Sequence, residues 1–464
     1  MTTPAKLANL NRAFVEYYRC PESFAQFSLA PGPSGAPGYF RFGGDAICYG
    51  RCTGGQQQNS VTGMLYDAWN HIDANMGLPF DPQEVVDNLR RERYATKQSE
   101  KEQGLSFKSV ARSTYYLLRP LMPVSFRRHL QKLSLRGWDE IPFPSWPVDT
   151  SVECIHEKLI ALSLRTEAAT NVPFIWFWPD GYSSASIMTH DVETQAGRDF
   201  CATLMNMNDE VGIRSSFQII PEERYSVPAS FLSSLRNRGF EINVHDFNHD
   251  GHLFGERQRF LVRADRINAY GRAFEAEGFR SGALYRNPDW LDALQFSYDM
   301  SFPNVAHLDP QRGGCCTVMP FFIGNILELP LTCTQDYSLF HILGNFSLDL
   351  WEKQTERIME KHGLISFIVH PDYIIDTKPR RTYLALLNYL AKLRSDRRVW
   401  IALPGEVNRW WRQRKQMDLV RTPDGYRVEG PGSERALVAY ASLDGDRLTY
   451  TVEESRRTVQ ALSA

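Results

Sequence analysis

The stretch VHDFNHDG, residues 244 to 251, sets His245 and His249 four positions apart among Asp, Asn and Gly, a composition that no buried apolar face would use. Two other stretches carry the same kinds of side chain. THDVE places Asp191 and Glu193 two positions apart, and LISFIVHPD carries His370. Carboxylates and imidazoles are ligands for divalent ions. Three of them with an extra carboxylate and an extra imidazole make up what metal-assisted hydrolysis needs: ligands, a base and an acid. Each stretch also has an ordinary reading. An H-x-x-x-H pair can be two solvated histidines, and acidic residues after a strand can sit at a helix N-terminus. What separates the readings is where the three stretches sit in the fold.

From about residue 171, short runs rich in β-branched and aromatic residues alternate with helix-period stretches. The runs are SASIMTH, SSFQIIP, FEINVH, FRSGAL, YDMSFPN, ILELPL, LISFIVHP and RVWIALP. The stretches between them include RDFCATLMNMNDEVG, PASFLSSLRNRG, RADRINAYGRAFEAEG, LDLWEKQTERIMEKHG and RTYLALLNYLAKLRS, and several end in Gly, as helix C-termini favour. Strand and helix in alternation predict a parallel α/β sheet. Seven or eight units suit a closed barrel better than a dinucleotide-binding sheet, because no G-x-G-x-x-G follows a strand. In such a barrel the reactive groups collect at the C-terminal ends of the strands. THDVE, HDFNHD and HPD all fall at those ends, so one face receives all five side chains.

The flanks carry no catalytic pattern. Residues 1–170 contain a Pro/Gly break (APGPSGAPG), a strand-like YFRFGGDAICYGRC, a charged run KQSEKEQG and the basic amphipathic SFRRHLQKLSLRGW with Ser125 as its N-cap. They read as an N-terminal accessory region; the basic helix is expected to pack on the barrel rather than rest on an anionic membrane surface. The barrel is assigned to 171–414. TPDGYRV and SLDGDRLTY, two DG turns flanked by alternating residues, predict a small antiparallel β module at 415–464. PFIWFWPDGYSS could stack on sugar rings, but core packing is the expectation. The 464-residue chain has a net charge of -2, without the basic excess that would suggest nucleic acid. No run of about 18 apolar residues could cross a membrane and no signal peptide is evident. A cytoplasmic protein is therefore expected, with its eight cysteines, Cys315 and Cys316 among them, as reduced thiols.

The constellation resembles the polysaccharide deacetylase family, the NodB-homology carbohydrate esterases, over about residues 171 to 405. The resemblance implies a distorted (β/α) barrel and a metal-dependent hydrolase. By it, Asp191 is the general base, Glu193, His245 and His249 hold one divalent ion, with Zn²⁺ the expected metal, and His370 is the general acid. Arg280 of GFRSGALYRN orients the base. Asp299 is the candidate for tuning His370, with Asp372 nearer in sequence. Tyr285 and Arg286 are candidate substrate contacts, and His190 and His307 are the next candidates for the acid. The chain departs from the family at two places: the acidic pair is D-x-E rather than two adjacent aspartates, and Gly282-Ala283 replaces a proline and an aromatic residue that help hold the oxyanion. The implied activity is removal of an acetyl or other acyl group from an N-acylated sugar of a surface-polysaccharide or cell-envelope pathway, a C–N hydrolysis outside peptide bonds. The alternatives are a hydrolase of a non-sugar amide and a catalytically retired carbohydrate-binding barrel.

Overall fold

The computed structural model describes residues 12–33, 35–54, 58–72, 77–95, 135–166 and 170–453. Most of the basic stretch beginning at Ser125 and the charged run before it lie outside the described residues. Among the described residues, no helix is long and apolar enough to cross a membrane.

All eight apolar runs form strands of one sheet: β1 (Ser184–Val192), β2 (Ser216–Ile219), β3 (Glu241–His245), β4 (Gly278–Arg280), β5 (Tyr298–Asp299), β7 (Ile326–Glu328), β8 (Leu364–Ile368) and β9 (Val399–Ala402), with a ninth, β6 (Phe321–Ile323), between β5 and β7. The order is β6-β7-β5-β4-β3-β2-β1-β8, and β9 pairs with the first half of β1. Every pairing is parallel except β6 with β7. The helices between strands are α1 (Gln195–Glu210), α2 (Ala229–Arg236), α3 (Arg257–Ala273), α4 (Asp349–Glu360) and α5 (Thr377–Asp396), and α6 (Pro404–Lys415) follows β9. Thr194 caps α1 by accepting from the Gly197 N–H, and Glu256 caps α3 through the Gln258 and Arg259 N–H groups.

The closed barrel expected from eight alternating units is not what forms. Among the described residues β6 and β8 are not paired with each other, so the sheet stays open. The reason lies between β4 and β7, where only single 3₁₀ turns (Gly282–Leu284, Leu291–Ala293) intervene and the outermost strand is one arm of a hairpin. Irregular segments span the gap instead: Cys333 donates to the Ser366 carbonyl at 3.1 Å and Leu364 to the Val318 carbonyl at 2.8 Å.

The N-terminal residues cover this helix-poor half. One apolar cluster joins Tyr94, Phe143 and Val152 to Tyr298 and Leu327 of the sheet and to Met300 and Met319 beside it. Trp176 and Trp178 of the aromatic run are buried in the same cluster, as core packing requires. The strand Val172–Ile175 within that run pairs with Val438–Asp444, which also pairs with Arg447–Val452, while Asp418–Thr422 and Gly425–Glu429 form a separate hairpin. All eight cysteines are buried and free.

Arg286, expected at the substrate, is spent on holding the N-terminal region. Its buried guanidinium meets Glu92 at 2.6 and 2.8 Å and donates to the Leu284 carbonyl at 2.9 Å. Tyr285 beside it is also buried. A buried ion pair broken on one side leaves an unanswered charge, so Arg286→Ala should lower stability by about 3–5 kcal/mol. Arg286→Met combined with Glu92→Leu should recover most of that loss. Denaturant unfolding of the three proteins measures both; equal losses in the single and double variants would show that the charge is not the cause.

Candidate functional site

β1 is buried along its whole length and its side chains alternate between two faces. Thr189 and Asp191 face the inside of the curled sheet, where both meet Arg280. His190 faces the helices: its Nδ1 lies 2.9 Å from the Val369 carbonyl, its Nε2 lies near Asn208 and Tyr383, and burial pushes its pKa down to about 4. Glu193 follows two residues after Asp191 and returns to the inner face, so D-x-E keeps both carboxylates in one cup where adjacent positions on a regular strand would part them.

Glu193, His245 and His249 offer ligand atoms that all lie within 4.8 Å of one another. His245 Nδ1 lies 3.2 Å from the Arg280 carbonyl, which leaves Nε2 with its lone pair turned into the cup. His245 Nε2 and His249 Nε2 are both buried without a hydrogen-bond partner. Glu193 Oε1 comes within 2.9 Å of His249 Nε2 but out of line for a hydrogen bond. Two orphaned imidazole nitrogens facing a carboxylate are a donor set that fits a divalent cation. Asp372 steadies the third donor from behind: it accepts from the Glu193 N–H at 3.2 Å and from the Thr194 hydroxyl.

Asp191 borders the donor set on one side, its Oδ2 3.7 Å from His245 Nε2. Arg280 donates to Asp191 Oδ1 at 2.6 Å and to Thr189 Oγ1 at 2.8 Å, and its Nε reaches the Met300 carbonyl at 3.0 Å. Burial pushes the Asp191 carboxyl up, but Arg280 first, then His245 and His370, outweigh it and hold the carboxyl below its ordinary range.

His370 borders the donor set on the other side, its Nε2 3.6 Å from Glu193 Oε1. The aspartate that holds it is Asp336, not Asp299 and not Asp372. Asp336 Oδ1 lies 2.6 Å from His370 Nδ1, and Oδ2 accepts the His370 backbone N–H at 2.8 Å. Burial works against protonating the imidazole, yet Asp336, followed by Glu193, holds its pKa well above the ordinary value. Asp299 belongs elsewhere. It stands in register with Glu328 on the neighbouring strand and accepts from Ser301 Oγ at 2.7 Å, and burial raises the pKa of both carboxyls. Asp336, in TCTQDYS, opens a single helical turn that runs on to Ile342, too short for any periodicity to mark it. His307 stacks near Trp146 and burial brings it down to about 4.

Gly282 has a local reason. Its N–H donates to Asp246 Oδ2 at 3.0 Å, which a proline could not do, and a Cβ there would lie 2.3 Å from that oxygen and 3.0 Å from His249 Cδ2. Asp246, unnoticed within the histidine motif, thereby ties the two loops together. Four residues of these loops sit in left-handed backbone: Asp246 (φ 57), His249 (φ 56), Ala283 (φ 54) and Leu284 (φ 54). Such conformations persist where surrounding contacts impose them, and they cluster at functional sites.

No family model matches the sequence, and no curated protein matches it. Among solved structures the chain is similar to a putative polysaccharide deacetylase from Mycobacterium smegmatis, at 17% identity over 51% of this chain and 93% of that one, with a TM-score of 0.41. It is also similar to a probable polysaccharide deacetylase from Pseudomonas aeruginosa (12% identity, 50% and 92% covered, TM-score 0.39). A third is a family 4 acetyl xylan esterase from Clostridium thermocellum, solved with a cobalt ion (12% identity, 49% and 91% covered, TM-score 0.32).

If the orphaned nitrogens are ligands, His245→Ala and His249→Ala should each lose most of the divalent metal that purified wild-type protein carries, while Asp191→Asn keeps it. Elemental analysis decides: equal metal loss in Asp191→Asn would exchange the parts of Asp191 and Glu193. Gly282→Ala should weaken metal retention by crowding His249, with the metal released at lower chelator concentration than from wild type.

Proposed function

We propose that this protein is a metal-dependent deacylase that hydrolyses the C–N bond of an N-acylated sugar. One observation carries the reading: a separately supported proton-handling group stands on each side of the donor set, Asp191 beside His245 and His370 beside Glu193. Glu193, His245 and His249 would hold the ion. Bound there, a divalent cation supplies Lewis acidity to an acyl carbonyl and makes a hydrolytic water easier to deprotonate.

The protein's own groups do the rest. Asp191, kept ionised by Arg280, accepts the proton of the attacking water. Arg280 also fixes the carboxylate's rotation, because the same Nη1 that meets Asp191 is held by Thr189. His370 has its Nδ1 committed to Asp336, so its proton leaves from Nε2, the atom that faces Glu193 and the cup. An amine departs poorly without that proton, which is why an amide hydrolase needs the His370–Asp336 pair and an esterase needs it less. The sugar substrate and the envelope pathway rest on the sequence resemblance.

Acetate release from N-acetylated sugars by metal-loaded protein tests the reading, and no release above a Glu193→Ala control would refute it. His370→Ala should slow the amide by ~10²–10⁴, the usual worth of general acid catalysis, with much less effect on an ester whose leaving group needs no proton. Asp336→Asn should act in the same direction. Equal losses on amide and activated ester would make His370 a support for the fold or the donor set.

A further inference from the structure

Tyr373, half-buried, lies against His370, and two further half-buried aromatic side chains, Tyr337 and His341, lie against Tyr373. Tyr337 and His341 flank and occupy a five-residue π-helix, Ser338–Ile342, that begins two residues after Asp336. Tyr373 comes from the turn that follows His370. Their ring centroids are 5.3 Å apart for Tyr337 and His341, 5.4 Å for Tyr337 and Tyr373, and 5.0 Å for His341 and Tyr373. Tyr373 lies 4.8 Å from the His370 ring. The interplanar angles of 57°, 46° and 83° make a tilted corner rather than a stack.

Two features set this corner apart from core packing. The aromatic run near the strand Val172–Ile175 is buried, whereas Tyr337, His341 and Tyr373 are each half-buried, Tyr373 with one side against the core. π-helical turns are rare and gather at functional sites, because widening one turn re-aims the side chains on it. Here the widened turn directly follows the aspartate that holds the acid, so one short segment sets both His370 and the surface next to it.

We propose that Tyr337, His341 and Tyr373 form the subsite for the sugar ring on the leaving-amine side of the scissile bond, with the apolar face of a pyranose packed in the corner. The proposal rests on the deacylase reading for its direction. The proton leaves from His370 Nε2, so the nitrogen it reaches, and the ring bearing that nitrogen, must lie on the His370 side of the donor set. That is the side these rings occupy. A pyranose offers a face of axial C–H groups, and aromatic faces carry the negative potential that such C–H groups favour. Ringless amides would leave the corner empty.

The test separates binding from turnover. N,N′-diacetylchitobiose is titrated calorimetrically into metal-free wild-type protein, Tyr337→Ala and His341→Ala, neither of which removes a donor, the base or the acid. Each variant should bind ~10-fold or more weakly, the size expected for losing one ring contact. In the metal-loaded enzymes the same variants should raise KM for the disaccharide with kcat nearly unchanged, and should hydrolyse ethyl acetate, which has no ring, at the wild-type rate. Unchanged disaccharide affinity in both variants overturns the subsite, as does wild-type protein that fails to bind it. Equal losses on disaccharide and ethyl acetate also overturn it, since the rings would then be supporting His370. A wild-type protein that binds the disaccharide through these rings but releases no acetate refutes the deacylase reading and leaves the subsite standing.

Discussion

A guanidinium buried with no exposure has to be answered by the chain around it, and Arg280 is tied to three segments at once. Asp191 and Thr189 come from β1, the Met300 carbonyl follows β5, and Arg280's own carbonyl meets His245 at the end of β3. An unpaired charge at this depth costs several kcal/mol, so these strand ends cannot drift apart without paying it. The candidate base and one candidate ligand are therefore placed by a single residue, the base by its guanidinium and the ligand by its backbone carbonyl. Nη2 of that side chain has no hydrogen-bond partner.

A second layer of carboxylates does for the other groups what Arg280 does for Asp191. Asp336 orients His370, Asp372 holds the Glu193 backbone, and Asp246 reaches across to the Gly282 N–H beside His249. None of the three faces the cup as a donor, yet each removes a rotational freedom from a group that does. Orientation of this kind is what distinguishes a site able to act on a substrate from a collection of polar residues.

The openness of the sheet and the N-terminal region belong to one account. Between β4 and β7 no crossover helix covers the sheet, and an uncovered parallel sheet would expose apolar surface on that face. Residues from the N-terminal 170 fill that place: Tyr94, Phe143 and Val152 pack there, Glu153 accepts from Thr317 Oγ1 and the Val318 N–H, and Asp149 exchanges hydrogen bonds with Asn304 at 2.8 Å each way. The Arg286–Glu92 pair lies on the same side.

Local pattern was enough to find the strands and the carboxylates at their ends, because strand period and side-chain chemistry are properties of neighbours in the chain. All eight apolar runs became strands, and Asp191 and Glu193 lie at the end of the first of them, where the reactive groups were expected to gather. Closure, pairing across the sheet and the second layer were not legible. Asp299 was the expected partner of His370, but it stands opposite Glu328, and the partner is Asp336 from a single helical turn too short for periodicity to mark. Arg286, polar and close to Arg280 in sequence, turned to Glu92 across 194 positions. The sequence by itself determined which residues could ligate, accept or donate a proton, and that they would gather at the C-terminal ends of the strands. Only the tertiary structure decided which carboxylate meets which cation, since burial makes an unpaired charge too costly to leave and the partner is whatever the fold brings within reach.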